Sequence, residues 1–97
     1  MENKKAFVDS ISQVLVGAPG LSIEKVEYEK YEKPSTGWTQ EYVVVHYNGG
    51  AIACRCVNAT SCGAIYQEIG KMLFGGYYDE VKDRDYFINN SDWQRTE

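Results

Sequence analysis

The chain contains no apolar run near the roughly 18 residues that a membrane-spanning helix requires, and its amino end lacks the apolar core of a secretory signal. A cytoplasmic protein with no membrane partner is expected. There is one histidine, His46, and the three cysteines, Cys54, Cys56 and Cys62, form an odd set within nine residues. That is a poor disulfide framework and suits a reducing compartment. None of the glycines at 49–50, 63, 70 and 75–76 sits in a phosphate loop between strand and helix with a lysine, so nucleotide binding is excluded and no cofactor is expected. An excess of positive charge is also missing: the formal charge is −4, which disfavours direct nucleic-acid binding and favours a basic protein as partner.

What is present fits one domain, residues 1–97, with 43% apolar and 25% charged residues and eight tyrosines, unusually many for this length. The acidity is concentrated. Residues 77–97 hold six acids against three bases, which accounts for −3 of the −4.

Phe7, Ile11, Val14 and Leu15 recur at helical spacing before Gly17 and Pro19-Gly20, so residues 4–16 read as an amphipathic helix. Residues 23–32 fit either a strand, with Val26 and Tyr28 alternating with charges, or a helical face of Ile23, Val26, Glu27 and Lys30. A strand is favoured, because a two-stranded hairpin is marginal alone and a charged strand protects a sheet edge. After a loop at Lys33-Pro34-Ser35-Thr36-Gly37, Tyr42-Val43-Val44-Val45 and Ile52-Ala53-Cys54 flank Asn48-Gly49, the signature of a hairpin with a type I′ turn.

With Asn48 and Gly49 as the two turn residues, Val45 faces Ile52, Val43 faces Cys54 and Glu41 faces Cys56, and this side is the expected core. The other side then carries Tyr42 beside Arg55, Val44 beside Ala53 and His46 beside Ala51, and meets water or a partner. Beyond Asn58-Ala59-Thr60-Ser61, the residues Ile65, Ile69, Met72 and Leu73 mark a second helix ending at Gly75-Gly76. Gly63 and Gly70 are expected to let it approach the sheet closely. A short third helix follows, capped by Asp79 and running through Val81, Arg84, Asp85 and Ile88; the pattern fades after Asn89-Asn90. The expected fold is α+β, order αβββαα, a three-stranded antiparallel sheet with the helices packed on one face.

No residue set amounts to a known catalytic signature. Cys54, Cys56 and Cys62 with His46 superficially resemble four zinc ligands, but the expected register puts His46 on the opposite face and the spacing matches no standard zinc knuckle. They read as small buried thiols, with no metal. Cys62, in the first turn of a helix, has the backbone amides that favour a thiolate, and a thiol enzyme would need His46 as its base. Tyr42, His46 and Arg55 make a secondary candidate surface, with the guanidinium stacked on the ring, through which a homodimer could form. The main candidate is the acidic aromatic stretch, Tyr77, Tyr78, Asp79, Glu80, Asp83 and Asp85, with Glu24, Glu27, Glu29 and Glu32 on or beside the first strand. It is either a solvated face or a binding surface.

The order of features from Thr39-Gln40 through the Asn-Gly turn, the Asn58–Ser61 connector, a helix ending in glycine and aromatics, and an acidic segment closing with Tyr86-Phe87-Ile88-Asn89 resembles the small phage-borne anti-CRISPR proteins that inhibit Cas9. The resemblance covers residues 39–90 and, in arrangement, the first helix. It implies a non-enzymatic DNA mimic from a phage or mobile element, with Asp79, Glu80, Asp83 and Asp85 presented to the basic cleft of a Cas9-like nuclease. The alternatives are a small interaction or regulatory domain, homodimeric through the sheet face, and a thiol enzyme using Cys62.

Overall fold

A computed structural model describes residues 3–74 and 80–97. The first helix, α1 (Lys4–Val16), starts where the Asn3 side chain accepts the Ala6 N–H at 3.0 Å, and it lays Val8, with Phe7, Ile11 and Leu15, on the core. The ambiguous stretch is a strand, β1 (Ile23–Lys33), paired along its length with β2 (Trp38–Tyr47) after a bulge between Ile23 and Lys25. Ser12 of α1 accepts the Val26 N–H at 2.8 Å, tying helix to strand. The chain continues through β3 (Ile52–Cys56), α2 (Cys62–Phe74), α3 (Val81–Asn89) and β4 (Gln94–Arg95).

The class is α+β, and the sheet is antiparallel with strand order β3-β2-β1-β4. The three-stranded sheet and the order αβββαα are thereby corrected to four strands and αβββααβ. The fourth strand is only two residues long, too short to leave a pattern in sequence. It exists because Trp93 packs on the sheet and brings Arg95 and Gln94 against Tyr31 and Glu32. The Thr96 N–H then donates to the Lys30 carbonyl at 2.8 Å.

The hairpin is where expected, but its register is one residue away. Val43 pairs with Arg55, Val44 with Cys54 and Val45 with Ala53, across a three-residue loop, Asn48-Gly49-Gly50. Left-handed backbone falls on the two glycines, at φ 96° and 97°, rather than on Asn48. Glycine adopts it without steric cost, and the Asn48 N–H is engaged by the Ser22 carbonyl at 2.8 Å. A slip of one exchanges the faces of β3. Ala53 and Arg55 join Val43 and Val45, whereas Cys54 and Cys56 join Tyr42 and Val44.

Both faces of the sheet are covered, which corrects the placement of every helix on one side. Ile65, Ile69 and Met72 of α2, with Val8 of α1, bury Val43, Val45, Ala53, Val26 and Tyr28. On the reverse face Val81 and Phe87 of α3, with Trp93, pack on Tyr31, Tyr42, Val44 and Cys54. Tyr42, Val43, Val44 and Val45 are each 0% exposed. A run of four apolar residues without alternation is what a strand shielded on both sides requires. Gly63 and Gly70 do not serve close packing on the sheet, since an added Cβ at either position would meet nothing within 4 Å.

Candidate protein-binding surface

The reverse face is built on a buried carboxylate. Glu29 is fully buried in mid-strand, and Arg84 of α3 donates to it through Nε at 2.7 Å and Nη2 at 2.8 Å, while the Tyr31 hydroxyl donates at 2.6 Å. Burial alone would push the Glu29 carboxyl up, yet the Arg84 and Tyr31 hydrogen bonds, with the charges of Arg84 and Arg95, hold it below the usual carboxylate range. Arg95, arriving on β4, stands 3.4 Å from Glu27 and 3.8 Å from Glu29. Of the three bases in the acidic tail, Arg84 is turned inward onto Glu29 and the half-exposed Arg95 reaches Glu27 and Glu29, whereas Lys82 stays exposed on α3.

Two of the expected contact acids also work inside the molecule. Asp83 accepts the Tyr42 hydroxyl, whose oxygen in turn accepts from Gln40 Nε2 at 3.1 Å. Glu80 donates its N–H to the Cys54 carbonyl at 3.1 Å and accepts the Cys56 N–H at 3.2 Å, so it sutures the start of α3 to the outer edge of β3. Its carboxylate also takes Arg55 Nη1 at 3.2 Å, and Arg55 Nε reaches Glu68 of α2 at 2.8 Å. Asp85 lies beside an open groove of about 430 Å³ lined also by Tyr86, Asn89, Asn90 and Ser91. Tyr77, Tyr78 and Asp79 lie outside the described residues.

The secondary surface does not form. Tyr42 lies under α3, and Arg55 projects from the α2 side because of the register slip, so no ring-on-guanidinium pair faces solvent. A homodimer through an open sheet face loses that face among the described residues. His46 stays on the reverse face, its Nε2 3.3 Å from Glu27 Oε1 but without hydrogen-bond geometry. The slip does place Cys54 and Cys56 on the side of His46. Even so, the residues whose ligand atoms come together, among those described, are Glu27, Glu29 and His46, within 4.8 Å. Arg84 and Arg95 already supply the positive charge at those carboxylates. Cys62 opens α2, on the far side of the sheet from His46, so the nucleophile and base of the thiol reading are not brought together.

The inward face of α3 is Val81, Arg84 and Phe87; Ile88, expected among them, is 46% exposed, and Tyr86 is 58% exposed. Phe87 meets Trp93 edge-to-face at 4.8 Å, and Tyr31 lies 6.4 Å from Phe87. Trp93 escaped the sequence reading, although an aromatic residue just beyond a fading helix pattern was a signal for it; Phe87 was read as part of the acidic aromatic stretch rather than as the inward face of α3. Another open cavity, of about 500 Å³, lies at the amino end of α1 between Lys4, Lys5, Tyr28, Lys30 and Glu41. Lys4 there is committed to Glu41 at 3.1 Å and to the Val57 carbonyl at 3.0 Å.

The buried tyrosines set the alkaline limit of stability. Burial and then the Glu29 hydrogen bond push Tyr31 up to about 12 from 10.0, and Tyr28 and Tyr42 shift the same way. A raised folded value means that the stabilisation is complete below the unfolded value and is lost as pH rises toward the folded one. Urea midpoints should therefore fall between about pH 10 and about pH 12, and Tyr31→Phe should flatten part of that fall. A midpoint constant across this window would contradict the buried hydroxyls.

No protein-family model matches the chain, and neither a curated protein nor a solved structure matches it. No described helix is long and apolar enough to cross a membrane.

Proposed function

We propose that this protein is a non-enzymatic, protein-binding inhibitor of phage or mobile-element origin that acts in the cytoplasm by placing the acidic outer face of α3 in the nucleic-acid-binding groove of a basic partner. The observation that carries the reading is the sorting of charge on that segment. Arg84 and Arg95 pair with Glu29 and Glu27, whereas Asp85 and Asp92 have no ion pair among the described residues, and Asp85 borders a groove with the exposed Tyr86. Carboxylates interleaved with exposed aromatic and aliphatic groups suit a protein interface better than a merely solvated helix. The resemblance to anti-CRISPR proteins makes a Cas9-like nuclease the first partner to try.

Glu80 and Asp83 support the surface by holding α3 in place, so the test uses Asp85 and Asp92. Gel-shift competition between the protein and target DNA for Cas9 should show inhibition that weakens as salt rises. Asp85→Lys with Asp92→Lys should weaken inhibition about tenfold, from roughly 0.7 kcal/mol at each partly exposed site. Inhibition indifferent both to salt and to this charge reversal would reject the acidic surface.

A further inference from the structure

The groove at the carboxyl end of α3 is lined by Asp85, Tyr86, Asn89, Asn90 and Ser91. Each of these side chains carries an acceptor oxygen, and none carries a positive charge. Asp85 is partly buried, yet it makes neither an ion pair nor a hydrogen bond among the described residues. Lys82, one turn earlier and exposed, forms no ion pair with it.

The helix end adds to this negative character. α3 has no basic residue in its last turn, and Asn90 closes it in extended backbone, at φ −100° and ψ 116°, rather than in the left-handed turn that returns an N–H to the last carbonyls. The N–H groups that follow are used within the turn: Asp92 donates to Asn90 Oδ1 at 2.9 Å and Trp93 to the Asn90 carbonyl at 3.1 Å. The last-turn carbonyls therefore keep acceptor capacity at the negative pole of the helix. Tyr86 completes the groove. Its ring is 58% exposed but packs at 86° to that of Phe87, with centroids 5.0 Å apart, so its position is set by a partly buried neighbour.

The lining selects by charge and shape. A carboxylate, uncapped carbonyls and an aromatic ring all favour a cation, whereas an anion would meet Asp85 with no cation to receive it. Between the two cationic side chains, the planar guanidinium forks onto a carboxylate, stacks on a ring and gives up its hydration more readily than an ammonium. We infer that this groove receives an arginine side chain of the basic partner. The inference rests on the inhibitor reading above and names the group that Asp85 meets in that interface.

The test follows the backbone amide resonances of the full chain by NMR during separate titrations with the N-acetyl methylamides of arginine, lysine and citrulline, the last an uncharged isostere of arginine. The arginine derivative should shift Asp85, Tyr86 and Asn89 with a Kd on the order of 10 mM and leave the amides around the exposed Glu24 unmoved. The lysine derivative should bind about threefold more weakly, and Tyr86→Leu should remove that difference. Asp85→Asn should weaken the arginine titration about threefold or more, whereas Lys82→Gln should strengthen it. Citrulline binding as well as arginine, lysine binding as well as arginine to the unaltered chain, or equal shifts around Glu24 would overturn the inference.

Failure of the groove and failure of the inhibitor reading are distinguishable. If the charge reversal at Asp85 and Asp92 abolishes Cas9 inhibition while the arginine derivative does not bind, the acidic surface stands and the groove falls. If the derivative binds as described but inhibition ignores the acids, the groove stands and the inhibitor reading falls.

Discussion

Arg84→Ala should lower folding stability by about 3–5 kcal/mol, measured as the urea midpoint of the purified chain with its slope unchanged. The size follows from what is left behind. Glu29 is 0% exposed and loses both charged hydrogen bonds from Arg84, retaining only the Tyr31 hydroxyl and Arg95 at 3.8 Å. An ionised carboxylate without a close cation at that depth is among the more costly arrangements a small domain can carry, when the whole stability is about 5–15 kcal/mol. A second variant separates the pair from the packing. Arg84→Met with Glu29→Gln removes both charges and keeps the volume, and it should recover at least half of the loss. The acid side carries the same signature. Because the folded Glu29 titrates below its ordinary value, its contribution is present above that value and is lost as pH falls through the depressed one, and Arg84→Ala should abolish that part of the acid dependence. A loss under about 0.5 kcal/mol for Arg84→Ala would mean that α3 does not sit on Glu29 in solution.

Val44→Asp should be nearly as damaging, about 3 kcal/mol or more. Position 44 is on the reverse face, where a sheet with helices on one side only would present it to water and tolerate a carboxylate within about 0.5 kcal/mol. Here it is buried in a cluster with Tyr31, Tyr42, Cys54, Val81, Phe87 and Trp93. The comparison is Val14→Asp on α1, 73% exposed, which should change stability by less than about 0.5 kcal/mol. Thermal unfolding of the two variants side by side decides between a one-sided and a two-sided sheet. Equal tolerance of both would remove α3 from the reverse face, and with it the surface proposed to bind a partner.

The helices and the hairpin were legible because each rests on local physics, whereas the two-residue β4 was not. Apolar spacing marked α1 and α2, the tight-turn residues marked the hairpin, and the acidic start of α3 followed from the preference of helix amino ends for negative charge. The register was less accessible. Asn48-Gly49 and Gly49-Gly50 both offer turns, and what separates them is the long-range bond from Asn48 to Ser22, which no local window contains. That single slip moved Arg55 from the expected contact face to the α2 side and broke up the Tyr42, His46, Arg55 surface. The continuous run from Tyr42 to Val45 did carry the information that both faces are covered, since an alternating strand would have polar residues at 42 and 44.

Charge followed the same division. Composition determined that the final 21 residues are acidic, because a count of ionisable groups needs no geometry. Which of those charges can meet a partner was decided only by folding. Arg84 is 55 residues from Glu29 in the chain and Asp83 is 41 from Tyr42, and both pairs form because α3 crosses the reverse face of the sheet. Side-chain spacing along a helix or strand is a local property that sequence carries directly, whereas the partner of each buried ionised group depends on which elements are pressed together, and only the tertiary structure states that.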